Sequence, residues 1–391
     1  MPSSNPPGEN RTAASRRLIV YFLIAAALVL LGSQLVLTRH SGGSVERLMN
    51  IPTGGSAEYI EMAQHGTMSG PAPFRYRFLV PLIVSVLPVP AELGFRIVTF
   101  VCLGLTYVVA LVIADALGIS RRAALIALFS VFCARAHAFN YWNPLLADGW
   151  GLLAMFVMIW ALIRERDAIF TVASVLGTLG RESVMFLTPA IFTPKQWKRA
   201  VVPILLTAAA YLVPRILLRT PGQDIAHFYA QYHELPKFTT VRFWQSMAVS
   251  WSYLWLVLPV GMLFTPRAWR PLVWRTLAWA VLGTCIAVVM ADDTERMVAY
   301  LTPFIFLATG FLVDRARSLL LDITLLVLAP LHLLIMLATV PFPVHPHGIF
   351  TSSLRLELLV FACLATAAAM AFALRFQLSK LNRHSLAQPG I

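Results

Sequence analysis

The chain has 391 residues, of which 58% are hydrophobic and 13% charged, with a mean hydropathy of +0.73. Soluble domains average about 25% charged residues, and apolar runs of about 20 residues, the length of a bilayer span, recur along this chain, so a soluble fold is excluded. The net charge of +13 would suggest nucleic acid in a soluble protein, but here it reflects basic cytoplasmic loops that orient membrane spans.

The composition predicts an all-α fold, a polytopic transmembrane bundle of about 10–12 helices. Residues 1–17 are rich in Pro and Ser and read as a disordered cytoplasmic N-terminus. The apolar run that follows, 18–37, is too long for a signal peptide and lacks a small-residue cleavage site, so it reads as a retained anchor. Residues 38–95 form a large outer loop. Within it, SAEYIEMAQHG (56–66) reads as a short helix with Ser56 as N-cap and Gly66 as stop. Glu58 and Glu61 are spaced to share one face, and Tyr59 and Met62 another. This helix is either a solvated amphipathic segment on the membrane surface or the carrier of a carboxylate base. The FRYR element that follows (74–77) brings Arg75 and Arg77, whose guanidinium forks suit phosphate oxygens. FLVPLIVSVLPVPA (78–91) is short and holds Pro81, Pro88 and Pro90, so it reads as interfacial or re-entrant.

Further spans are expected at 96–117, 123–139, 149–163, 200–218, 244–264, 272–290, 297–313, 318–340 and 352–375, with a cytoplasmic tail at 376–391. The whole of 18–375 reads as one multi-pass domain. FNYWNPLLADGW (139–150) sets Asp148 among Tyr141, Trp142 and Trp150; an interfacial aromatic belt and a sugar-binding surface both fit. LGTLGRESVMFLTP (176–189) places Arg181–Glu182 inside an apolar stretch, either as an ion pair stitching helices or as a functional pair. The second outer loop, 219–243, contains His227 and Tyr229, which can touch a polar substrate or lie on an interfacial helix. MADDTERMVAYLTP (290–303) crowds Asp292, Asp293, Glu295 and Arg296 at a junction of spans. A solvated turn, an anion clamp through Arg296 and a Mg²⁺ or Mn²⁺ site on Asp292 and Asp293 all fit that spacing.

Charge sets the orientation. With both termini cytoplasmic, Arg11, Arg16, Arg17, Arg121, Arg122, Arg164, Arg166, Lys195, Lys198, Arg199, Arg267, Arg270, Arg275, Arg315, Arg317, Arg375, Lys380 and Arg383 fall inside, 18 of the 31 basic residues. That walk works only if 168–192 returns to its starting side, as a helical pair turning at GTLGRES. Most acidic residues, Glu46, Glu58, Glu61, Asp148, Glu182, Asp292 and Asp293 among them, then face outward. Cys102, Cys133, Cys285 and Cys363 lie in apolar segments without ligand spacing, which excludes a disulfide framework and a zinc site. No P-loop, dinucleotide glycine pattern or zinc-helix motif appears.

Three elements together, the outer loop ending in FRYR, the turn in LGTLGRESVMFLTP and the DDTERM junction leading to YLTP, resemble the bacterial type-C glycosyltransferase superfamily. Where that family carries Asp four residues before a Tyr, this chain has Gly55, and Glu58 is the nearest substitute. The resemblance implies a multi-pass enzyme of the bacterial cytoplasmic (inner) membrane. It would move a sugar from a polyprenyl-phosphate donor to a glycan, lipid or protein acceptor on the extracytoplasmic face. Arg75, Arg77, Arg181 and Arg296 would hold the donor phosphate, and Glu58 would act as general base, with Glu46 and Glu61 behind it. Glu182, Asp148, His227 and Tyr229 would orient an arginine or contact the acceptor. Asp292 and Asp293 would hold a divalent cation, Mg or Mn, where one is used. A lipid-linked glycan ligase or polymerase, and a transporter or flippase, are the alternative expectations.

Overall fold

Helix α1 (Arg11–Ser41) opens the computed structural model, which describes residues 11–41, 56–66, 69–71, 74–218, 241–290, 294–339 and 360–375. It begins within the stretch expected to be disordered, because its first turns are tied down. Arg17 lies 3.6 Å from Asp115, and the Tyr21 hydroxyl donates to the same carboxylate at 2.6 Å. Among the described residues every regular element is helical.

The outer-loop stretch is more ordered than a loop. It holds α2 (Ser56–His65), a 3₁₀ turn (Phe74–Tyr76) and α3 (Leu79–Ser85). Seven residues of helix reach only about 10 Å, so α3 does not cross a bilayer, in line with the interfacial reading of 78–91. Helix α4 (Ala91–Leu117) starts directly after Pro90, earlier than the expected 96. It ends at Gly118, whose φ of +75° is the left-handed cap that glycine adopts without penalty. Ser120 caps the next helix, accepting from the Ala123 amide.

The expected span 123–139 is not one helix. It is α5 (Arg121–Phe132) and α6 (Arg135–Trp142), bent by 70° across Cys133 and Ala134. Helix α7 (Asp148–Ile163) follows, then α8 (Asp167–Gly180) and a 3₁₀ helix (Glu182–Ile191). The last two form a hairpin. Ser174 meets Thr188 hydroxyl to hydroxyl at 2.5 Å, and a Cβ on Gly177 would lie 2.7 Å from Val184. Both pairs straddle Arg181, so the chain folds back there, as the charge argument for 168–192 required. Thr207 of α9 (Trp197–Leu217) adds its hydroxyl to Ser174 at 2.7 Å and fixes α9 to the hairpin.

The expected span 244–264 is also broken, into α10 (Val241–Trp251) and α11 (Leu254–Leu263), at Ser252 with φ +48°. The remaining elements are α12 (Arg270–Met290), α13 (Thr294–Val298), a 3₁₀ turn (Ala299–Leu301), α14 (Thr302–Ala316), α15 (Leu319–Thr339) and α16 (Val360–Arg375). Among the described residues, five helical stretches are able to cross a membrane by length and composition: Ala13–Leu35, Ala91–Leu117, Pro194–Leu217, Arg270–Val288 and Arg296–Ala316. The bent pair α5–α6 raises that to six. This is fewer long helices than the sequence led us to expect, because apolar composition does not register breaks at Cys133–Ala134, Arg181 and Ser252.

The helices sort by depth. Nine-tenths of the Arg296–Ala316 stretch is buried (94%), against 17% for Ala13–Leu35 and 22% for Pro194–Leu217. The outer two expose aliphatic rows, Ile19, Leu23 and Leu30 on one and Val202, Leu205 and Ile216 on the other. Apolar rings around an apolar centre are what a helical membrane protein presents to lipid. At the centre, α11 touches α14 through Gly261, where a Cβ would lie 2.1 Å from the Ala308 carbonyl oxygen. Five ion pairs each join residues that the charge reading assigns to one and the same side. Arg17–Asp115, Arg122–Asp322 and Arg199–Asp167 join residues assigned to the cytoplasmic side, and Arg77–Glu182 and Arg296–Asp148 residues assigned outside.

Candidate functional site

The hairpin turn is held by the first turn of α7, whose sequence is DGWG (148–151). Each residue type has a task. Gly151 leaves room for the stem of Arg181, since a Cβ there would already lie 3.3 Å from Arg181 Cβ and Cγ. The Trp150 indole covers Gly180 so closely that a Cβ would lie 2.4 Å from its ring, and its Nε1–H donates to the Leu176 carbonyl at 2.9 Å. Gly149 packs on Thr99 of α4. Asp148 then meets the guanidinium head of Arg181, with Oδ1 3.0 Å from Nε.

Asp148 is shared. Its Oδ2 accepts from Arg296 Nε at 2.8 Å and lies 2.7 Å from Arg296 Nη2. Tyr300 completes the group: its hydroxyl accepts from Arg181 Nε at 2.8 Å and donates to Asp148 Oδ1 at 3.4 Å. Asp148, Arg181 and Tyr300 are all buried. Arg296 rests over the Phe139 ring, 5.9 Å from its centroid. One carboxylate thus fixes two guanidinium groups from two distant stretches, and a tyrosine locks the angle of one.

Across the turn, Glu182 takes both Nε and Nη2 of Arg77 as a bidentate pair. Arg77 Nη1 donates to the Tyr59 hydroxyl at 3.1 Å. Tyr59 is fully buried, edge-on to Phe74 at 5.4 Å and beside Phe95 at 6.2 Å. Burial and the nearby Arg181 work against the charge on Arg77, but Glu182 and Tyr59 outweigh them and raise its pKa above the ordinary range. The cluster therefore joins α2, the FRYR turn, α7, the hairpin and the 296–300 junction, stretches far apart in the chain.

Not every donor in the cluster is paired. Arg181 Nη1 is buried and has no hydrogen-bond partner. Glu58, next to Tyr59, likewise has a buried and unpartnered Oε2. A buried donor without an acceptor costs about 1–3 kcal/mol, and more when it belongs to a charged group. An unpaired buried donor and an unpaired buried acceptor are groups that a ligand could satisfy.

The other expected residues are distributed as follows. Arg181, Glu182, Asp148, Arg77 and Arg296 come together. Arg75 Nη1 donates to the Leu218 carbonyl at the end of α9, at 3.4 Å. Its neighbour Tyr76 is covered by Arg215, 4.8 Å from the ring. Glu58 and Glu61 keep their i, i+3 spacing on α2, Glu58 half-buried and Glu61 exposed. Glu46, His227, Tyr229, Asp292 and Asp293 lie outside the described residues, and so does the expected Mg²⁺ or Mn²⁺ site. Among the described residues no group of three His, Cys, Asp or Glu is placed to hold a metal ion.

Asp148 was expected as an orienting or acceptor residue, and it is the hub of the cluster. Tyr300 was not expected; its signal was position, four residues after Arg296, one helical turn on. A second buried polar group was also missed. The Tyr107 hydroxyl bridges His137 Nε2 at 2.7 Å and the Tyr141 hydroxyl at 2.8 Å, where α4 meets α6. Comparison with protein-family models, with curated proteins and with solved structures finds no match in any of the three.

Proposed function

We propose that this protein is a membrane-embedded glycosyltransferase that takes a sugar from a polyprenyl-phosphate donor. The observation that carries the reading is the unpartnered, buried Nη1 of Arg181, at a chain turn inside an otherwise apolar stretch. An anionic headgroup on an apolar tail needs such a site: a cationic donor reached from lipid and shielded from water. Arg181 binds the phosphate, and Arg296, held on the other oxygen of Asp148, adds positive charge beside it. Charge grows on that phosphate as the sugar leaves, and fixed guanidinium groups stabilise it.

Asp148 and Glu182 are poor proton acceptors, since each is engaged by arginine. Glu58 is different: no arginine holds it, and one of its oxygens is buried without a partner. It takes the proton of the acceptor hydroxyl as general base, and direct displacement inverts the anomeric centre. Arg77 and Glu182 brace Tyr59, the residue next to that base. In this reading the short apolar helices complete further crossings to give 10–12 passes. Both termini are cytoplasmic, the membrane is the bacterial inner one, and the site opens to the extracytoplasmic side.

The test is transfer of radiolabelled sugar from polyprenyl-phosphate donors by full-length protein in lipid, with a panel of glycan, lipid and protein acceptors. Wild type is expected to transfer. Glu58→Gln and Arg181→Ala are each expected to lose at least about a hundredfold while remaining folded. Full activity in Glu58→Gln would move the base elsewhere, and solute uptake without any transfer would favour a transporter.

A further inference from the structure

We infer that ordered water is held inside the protein where its two helix breaks meet, on the hydroxyls of Ser130 and Tyr253 and on His332 Nε2. The site is separate from the arginine cluster, and the inference stands apart from the sugar-transfer reading.

The first break lies deep. Helix α5 starts at Arg121, on the side that the charge reading makes cytoplasmic. Its 12 residues carry the chain about 18 Å before the 70° bend, well within a hydrocarbon core of about 30 Å. A break at that depth frees backbone groups, and lipid has no hydrogen bonds to offer them. Ala134, the N-cap of α6, brings no capping side chain. Among the described residues no backbone carbonyl accepts from the amide of Ala136, which is fully buried. The second break, at Ser252, sets Tyr253 beside Ser130 and Cys133 of the first. His332 of α15 stands edge-on to Tyr253, with ring centroids 6.3 Å apart.

The side chains gathered there are unsatisfied. Ser130, Tyr253 and His332 are each at most 1% exposed. Ser130 Oγ, the Tyr253 hydroxyl and His332 Nε2 all lack a hydrogen-bond partner within the protein. Buried polar atoms that protein does not satisfy are the ones that internal water satisfies.

The atoms also select the ligand. The other ring nitrogen of His332 donates to the Val249 carbonyl, so Nε2 presents a lone pair and needs a donor. A halide has no hydrogen to give. The charge of the fully buried Arg135 reaches His332 and disfavours a cation. The two hydroxyls donate or accept as required. A small neutral molecule that both donates and accepts fits all three, and about two to four polar partners are what a buried water takes.

Water-edited solid-state NMR of the full-length, uniformly labelled protein in deuterated lipid tests this. The His332 ring is assigned by its loss in His332→Gln or, should that variant not fold, by correlation to Leu331 and Leu333. Magnetisation from water is expected to reach that ring at a mixing time at which the buried ring of Phe304 still gives no signal. A His332 signal that appears no sooner than that of Phe304 overturns the inference. Melting gives a second readout through its sign. A dry, unpaired hydroxyl costs stability, so deleting it raises the melting temperature, whereas deleting one that binds water lowers it. Ser130→Ala and Tyr253→Phe are each expected to shift the melting temperature down, and an upward shift in either overturns the inference.

Discussion

Asp148, on the first turn of α7, and Arg181, at the hairpin turn, face each other across 3.0 Å, beside contacts made by glycine and tryptophan. The pair is buried and Asp148 also holds Arg296, so removing the carboxylate strands two guanidinium groups at once. Asp148→Asn is expected to destabilise the fold by about 3–5 kcal/mol, the cost of breaking a buried pair from one side. Unfolding can be followed with a thiol-reactive dye. Cys102, Cys133 and Cys363 are buried and Cys285 is exposed, so Cys285 reacts first and the other three report melting.

Arg181→Lys tests geometry at constant charge. Lysine has no fork and cannot reach Tyr300, Asp148 and a ligand together. Sugar transfer is expected to fall at least about tenfold with little change in melting, because a compact ammonium still neutralises Asp148. Tyr300→Phe removes only the shared hydroxyl and is expected to cost about 1 kcal/mol in stability.

Two glycines are expected to differ in the cost of adding a methyl group. At Gly180 the obstacle is the Trp150 side chain, which can give way. At Gly261 it is the Ala308 backbone carbonyl, which cannot. Gly261→Ala should therefore lower the melting temperature far more than Gly180→Ala. Gly180→Ala should instead reduce transfer, since Trp150 is what holds the turn carrying Arg181.

Sidedness is open to labelling. Glu61 and Arg317 are both exposed and belong to opposite sides in the charge reading. In intact cells a membrane-impermeant thiol reagent should modify Glu61→Cys and not Arg317→Cys. In inverted vesicles the pattern should reverse, and equal labelling in both preparations would overturn the orientation.

Much of the site could be read from the residues alone, because charge in an apolar run is rare and costly. Arg181, Glu182 and Asp148 stand out that way, Arg77 through the FRYR element and Arg296 through the crowded charges of its junction. Their pairing could not be read. Which carboxylate meets which arginine depends on helix packing, and that depends on where Gly151 and Gly180 let chains approach. Tyr300 looked like one more interfacial aromatic until Arg181 was placed beside it. Breaks were hard for the same reason. At Cys133–Ala134 and at Ser252–Tyr253 no proline or glycine marks the interruption, and only tertiary contacts decide it. At Arg181 the glycines do mark it, and the need to return to one side points to a hairpin from the sequence alone.

The most enclosed helix, α14, is made late, at residues 302–316 of the chain. Its neighbours Gly261 and Ile119 are synthesised well before the surface they pack against. The surfaces that α14 covers therefore exist in the chain before α14 does. Tyr300 and Arg296 arrive with it and close the cluster around Asp148. A nascent chain stopped before this helix would carry Arg181 without its tyrosine and Asp148 with one arginine in place of two, so the site and the core are finished in the same event.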